Sequence, residues 1–178
     1  MSRLRAAIPV LSFLALVALA AAPARAGAGE PPAQDPAATA ATEAPAARTE
    51  ALHWHPVGDE EVVADREGKA ILYFFTAEWC APCHEMKRTL FADPEKVSRI
   101  SQEFVTVEVL DTRVETGENL PEVDEAQERY QVMTIPTLVV ALPDGSEVGQ
   151  HRGYSGEERA WRWLTQQAMV AGAHLDEK

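Results

Sequence analysis

Ile71-Leu72-Tyr73-Phe74-Phe75-Thr76-Ala77-Glu78-Trp79-Cys80-Ala81-Pro82-Cys83-His84 is the stretch on which the reading of this chain turns. Its first five residues are the most apolar run beyond the N-terminal region. Near-continuous apolarity over so short a length predicts a strand covered on both faces, from Ala70 to about Thr76. The run stops abruptly, Thr76 to Trp79 reads as a turn, and a helix is expected from about Cys80 to Leu90, with Met86 and Leu90 on one stripe. That places Cys80 beside unpaired backbone N–H groups at the positive end of the helix dipole, where thiolate is favoured over thiol. Cys83 lies one turn deeper, within reach of the first sulfur, so the two can open and close a disulfide. Pro82 suits a first helical turn, where a missing N–H costs nothing. The chain holds 2 cysteines, and their spacing is too tight to staple distant elements. A secreted chain normally spends cysteines on such staples, so this bridge is read as chemistry.

Outward from that centre, the N-terminal region reads as an address. Arg3 and Arg5 precede an apolar run from Ile8 to about Ala22, and Ala24-Arg25-Ala26 has the small-x-small cleavage pattern. Residues 1–26 are therefore expected to be a signal peptide cleaved before Gly27; the alternative is an uncleaved anchor, for which the run is short. Residues 27–50 are rich in Ala, Pro, Thr and Glu and predict a disordered linker. Residues 51–178 are enough for one domain with a full core. The expected location is the periplasm or the extracellular space, without stable membrane insertion after cleavage. The formal charge is −12; loss of Arg3, Arg5 and Arg25 leaves 13 basic against 28 acidic residues, 13 − 28 = −15. Nucleic acid and anionic lipid are poor partners for such a chain.

The rest of the domain alternates helix and strand. Leu52 to Val57 reads as an edge strand limited by Pro56, and Gly58 to Glu67 as a short amphipathic helix. Asp93-Pro94 caps a helix running to about Gln102. Phe104 to Leu110 alternates as a strand, Thr112 to Pro121 is a polar loop, and Glu122 to Tyr130 is helical. Thr137 to Leu142 is a strand following Ile135-Pro136. Pro143-Asp144-Gly145-Ser146 turns into a fourth strand, Glu147 to Arg152. Ser155-Gly156-Glu157-Glu158 has the form of a capping box before a last helix that carries Ala160, Trp161, Leu164 and Ala168 inward.

In order, Ala77-Glu78-Trp79-Cys80-Ala81-Pro82-Cys83, Tyr130-Gln131-Val132, Ile135-Pro136-Thr137-Leu138, Asp144-Gly145 and Gly153 resemble the thioredoxin superfamily over nearly the whole domain. Thr89 to Val97 is similar to the C-terminal domain of the transmembrane disulfide reductase DsbD. The resemblance implies an α/β thioredoxin fold, a central mixed β-sheet flanked by helices. It further implies Cys80 as attacking thiolate, Cys83 as resolving thiol, and Ile135-Pro136 as a cis-proline loop that binds substrate beside Trp79. The implied activity is thiol–disulfide oxidoreductase on protein disulfides, with no metal or organic cofactor. Reduction would draw electrons from a membrane donor of the DsbD type. One position departs: six residues before the first cysteine the family typically keeps a buried acid, and here stands Phe74. Glu85, on the active helix, is a candidate proton relay in its place, as is a trapped water, although an exposed helical Glu is more often inert.

Other readings use the same letters. Cys80-Ala81-Pro82-Cys83-His84 is also a c-type haem attachment string, with His84 as proximal ligand and Met86 or Met133 as distal. A buried strand, Trp79 and an Ile-Pro loop where a haem pocket is needed argue against it. Zinc would need about four ligands, and Cys80, Cys83 and His84 would have to recruit His53 or His55. A binding module is the remaining alternative, holding peptides at Ile135-Pro136 with the disulfide as a passive lock.

Overall fold

The computed structural model describes residues 51–177, so the expected signal peptide and linker, 1–26 and 27–50, lie outside the described residues. Four strands, β1 (Ala70–Ala77), β2 (Phe104–Asp111), β3 (Thr137–Ala141) and β4 (Glu147–Arg152), form one sheet in the order β2-β1-β3-β4. β1 runs parallel to β2 and antiparallel to β3, and β3 pairs antiparallel with β4. The mixed sheet flanked by helices is the α/β arrangement expected. The helices are α1 (Glu60–Glu67), α2 (Ala81–Thr89), α3 (Pro94–Glu103), α4 (Arg113–Thr116), α5 (Pro121–Arg129) and α6 (Glu157–Asp176).

All eight residues of β1 are buried, because both faces of the sheet are covered. Leu72 and Phe74 join Met86, Leu90, Val97, Ile100, Leu138, Val140 and Leu164 on the side of α2, α3 and α6. Ile71, Tyr73 and Phe75 join Ala64, Val105, Val107, Val109, Val123 and Tyr130 on the side of α1 and α5. The period-2 alternation of β1 thus divides one apolar run between two cores.

Helix α3 starts as its sequence implies: the Asp93 carboxylate accepts from the Glu95 and Lys96 N–H groups at 3.0 Å, with Pro94 in the first turn.

Three expectations differ. Leu52 to Val57 is not a strand; only His55 makes a bridge, parallel to Val107, and Pro56, lacking an N–H, ends it. The 112–121 loop contains α4, closed by Gly117 at φ 89. The box at Ser155 does not form, since Gly156 takes the cap position at φ 111 with no side-chain cap, and Glu157 is drawn to Lys96.

Candidate functional site

The turn after β1 lifts the chain out of the sheet, with the Cys80 N–H donating to the Ala77 carbonyl at 3.1 Å. Cys80 is the N-cap of α2 in extended geometry, and Pro82 sits in the first turn. Its sulfur does what an N-cap oxygen usually does, accepting the Cys83 N–H at 3.2 Å. Cys80 and Cys83 are joined as a disulfide with a Cα–Cα distance of 5.2 Å. The same N–H groups at the helix start favour a thiolate on Cys80 once the bond is reduced.

Burial is where the structure departs from the simple helix-start argument. A helix start at a surface turn suggests an exposed first residue, yet Cys80 is 1% and Cys83 0% exposed. Both cysteines belong to the α2-side core. Trp79, at 54% exposure, stands outside instead.

The second part of the site comes from β3. Phe75 is paired with Thr137, so the end of β1 and the start of β3 lie side by side, and the Cys80 turn neighbours the Ile135-Pro136 segment. The Ile135–Pro136 peptide bond is cis. Ile135 is partly buried against the cluster that contains both cysteines. The segment is pinned from two sides: the Gly153 N–H donates to the Pro136 carbonyl at 2.8 Å, and Thr137 Oγ1 to the Thr134 carbonyl at 2.7 Å. Gly153 adopts φ 75 to do so. Strand pairing thus sets the Ile135-Pro136 segment beside the end of β1, and Trp79 precedes Cys80 on the turn that leaves it.

On the far side of β1, Asp111 pairs in register with Ala77 and fixes the 112–120 segment. It accepts from the Gln127 amide at 2.9 Å and the Arg113 N–H at 3.0 Å. Burial works against its charge, but these hydrogen bonds and the Arg113 guanidinium hold it below the usual carboxylate range.

Two sequence candidates on α2 are directed elsewhere. The His84 ring nitrogen Nε2 lies 2.7 Å from the Glu78 carbonyl. Both sulfurs that a thioether attachment would use are bonded to each other, so this donor set fits a redox pair rather than a haem site. Glu85 is exposed and its carboxylate is held by Arg88.

What sequence reasoning passed over is an ion pair under α2. Lys87 Nζ contacts Glu108 Oε1 and lies 5.9 Å from the centroid of the Phe74 ring. A charged residue between the valines of β2, together with a lysine four positions after Cys83, was the available signal.

Residues 57–168 match the profile of a family described as thioredoxin-like domain. The chain is 26% identical over 109 residues to the thiol:disulfide interchange protein DsbD of Actinobacillus pleuropneumoniae serotype 5b (strain L20), covering 60% of this chain and 18% of that protein. It is also similar to the solution structure of a thioredoxin from Thermus thermophilus, with 26% identity and a TM-score of 0.58 over 70% of this chain and 92% of that one. A solved DsbH oxidoreductase, 21% identical with a TM-score of 0.57, shares the fold over 68% of this chain and 86% of its own. The chain spans 14% to 22% of the length of the curated relatives it matches.

Proposed function

The chain belongs to the thioredoxin-like domain family; from that premise we propose that it is a thiol–disulfide oxidoreductase working through its Cys80–Cys83 pair and that it reduces protein disulfides outside the cytoplasm. The observation that carries the reading is the disulfide itself, set at the N-terminus of α2 with Cys83 N–H on Cys80 Sγ. In the dithiol form, Cys80 attacks one sulfur of a substrate disulfide and expels the other as a thiolate. A mixed disulfide results. Cys83 then attacks Cys80 Sγ, releases the second substrate thiolate, and leaves the protein oxidised.

Trp79 and the Ile135-Pro136 segment form the substrate-facing surface in this proposal. Trp79 offers an exposed aromatic face, and the backbone at Ile135 lies at the start of a strand, suited to pairing with an extended peptide. Export rests on the N-terminal pattern. Among the described residues, no helix is long and apolar enough to cross a membrane. Electrons in this reading come from a membrane donor of the DsbD type, a role suggested by the similarity to DsbD.

Insulin reduction tests the activity: turnover is expected with the wild type and none with Cys80→Ser. Equal residual binding of peptides by both forms, with no cysteine-dependent turnover, would leave only a peptide-holding module. Trapping thiols in the native protein tests direction, with the reduced form expected to predominate when the donor is present.

A further inference from the structure

We propose that Glu108 is the proton acceptor for Cys83 when the mixed disulfide is resolved, and that Lys87 positions it; this rests on the oxidoreductase reading above. Cys83 is fully buried in an apolar cluster. Such surroundings disfavour a thiolate, so the thiol needs a nearby group to take its proton before it can attack. Four residues on, Lys87 occupies the same face of α2, since positions i and i+4 are neighbours on a helix. Its ammonium is in contact with Glu108 Oε1 and lies beside the Phe74 ring.

Glu108 is directly opposite Phe74 in the β1–β2 register, which puts it on the face of the sheet that α2 covers. The side chain of Glu108 is 28% exposed and that of Lys87 36%. Oε1 itself is buried and makes no aligned hydrogen bond; the Lys87 contact is an ion pair. A buried carboxylate oxygen is therefore held on the sheet face that the helix of the resolving cysteine covers. It is tied there by a cation rooted one helical turn from Cys83. Phe74 cannot take a proton, and Glu85 is occupied by Arg88 at the surface.

In the step proposed, the Cys83 proton passes to the Glu108 carboxylate, directly or over one water. The Cys83 thiolate then attacks Cys80 Sγ. The bond between Cys80 and the substrate sulfur breaks, and its electron pair leaves on the substrate thiolate. Two electrons have then moved from the dithiol to the substrate disulfide, and Glu108 returns its proton to solvent or to the departing thiolate. Lys87 keeps the carboxylate in place and offsets the cost of holding it away from water.

The test is stopped-flow reaction of the reduced full-length protein with 5,5′-dithiobis(2-nitrobenzoate), which gives one coloured thiolate per step. The first phase reports attack by Cys80; the second, absent in Cys83→Ser, reports resolution by Cys83. Glu108→Gln is expected to slow the second phase about a hundredfold at neutral pH, the lower end of the range for positioned general bases. Its second phase should then climb with pH as unassisted ionisation of the thiol takes over, while the first phase stays at the wild-type rate. Glu108→Asp should retain most of the second phase. Adding Phe74→Asp to Glu108→Gln returns a carboxylate to the paired position and should restore it. A second phase equal to wild type in Glu108→Gln from about pH 6 to about pH 9, spanning the range where a free thiol begins to ionise, overturns the proposal. Equal slowing of both phases overturns it as well, since that marks general damage. No first phase in the wild type refutes the oxidoreductase reading, and the proposal falls with it.

Discussion

The two cores that share β1 handle polar groups in opposite ways. On the α1 and α5 side, the Tyr73 hydroxyl donates to Glu60 Oε1 at 3.1 Å, and the Gly58 N–H donates to the other carboxylate oxygen. The Tyr73 and Tyr130 rings meet at a tilt, with centroids 5.0 Å apart. A cavity of about 120 Å³ opens beside them, lined in part by Glu60, Glu61, Arg129 and Tyr130. Burial pushes both phenols up, furthest at Tyr73. On the α2 side, Phe74 instead packs at 5.6 Å against Trp54 and at 5.2 Å against Phe91, with the cystine in the same cluster. Polar atoms inside one core are partnered in pairs; in the other, sulfur is surrounded by hydrocarbon with an ion pair at the wall. A dry surround strengthens every charge effect on the thiols and gives the proton few destinations. The comparison explains why an aromatic at position 74 can coexist with redox chemistry one layer away.

Phe74→Ala should make the largest difference between the faces. Removing a fully buried ring from the Trp54–Phe91 cluster should cost about 3–5 kcal/mol in urea unfolding, and a loss below about 1 kcal/mol would mean that the cluster collapses to refill the space. Tyr73→Phe, on the opposite face, should cost less, about 1–3 kcal/mol, because the Glu60 carboxylate loses one donor but keeps the Gly58 N–H. If Tyr73→Phe proves the more damaging of the two, the hydroxyl network, not the aromatic cluster, holds β1.

Acid should separate the faces too. His151, tilted against Trp163 at 5.3 Å, is held below its ordinary value by burial and then by the Arg159 charge. Its neutral form fits the fold, so the stability it supports is intact above about pH 6.5 and lost as pH falls from there through the lowered folded value. Asp111 is also lowered, so its contribution is intact above about pH 3.9 and disappears only as pH falls through its own folded value. Urea midpoints against pH should show the first decline vanish in His151→Gln and the second diminish in Asp111→Asn. The smallest effect is expected at the surface. Glu85→Gln breaks an exposed pair with Arg88 and should move stability by no more than about 0.5 kcal/mol. A resolution step slowed by Glu85→Gln and untouched by Glu108→Gln would reassign the proton to the exposed face.

Much of the architecture was legible because it rests on local pattern. The apolar runs at 71–75 and 137–142, the Asp93-Pro94 start and the spacing of Cys80 and Cys83 each depend on a few consecutive residues. What stayed hidden depends on residues far apart. Helix α4 is four residues long, and the segment around it is held by the Thr112 N–H on Asn119 and by Arg113 on Asp124, contacts that no periodicity announces. Glu108 looks like one polar position of an alternating strand until its register with Phe74 places it under α2. The burial of Cys80 rests on the packing of the α2-side core around it, against the exposure that a helix start suggests.

The bridge at His55 has a further effect, on how copies of the chain can meet. A sheet in the order β2-β1-β3-β4 has two rims. At the middle of the β2 rim the backbone is already spoken for: the His55 N–H donates to the Thr106 carbonyl at 2.8 Å, and the Glu108 N–H donates to the His55 carbonyl at 3.2 Å. Pro56, next in line, has no N–H to offer an incoming strand. Among the described residues, the β4 rim carries no such bridge. Strand addition along the β2 rim is thus interrupted at its middle by one histidine's backbone.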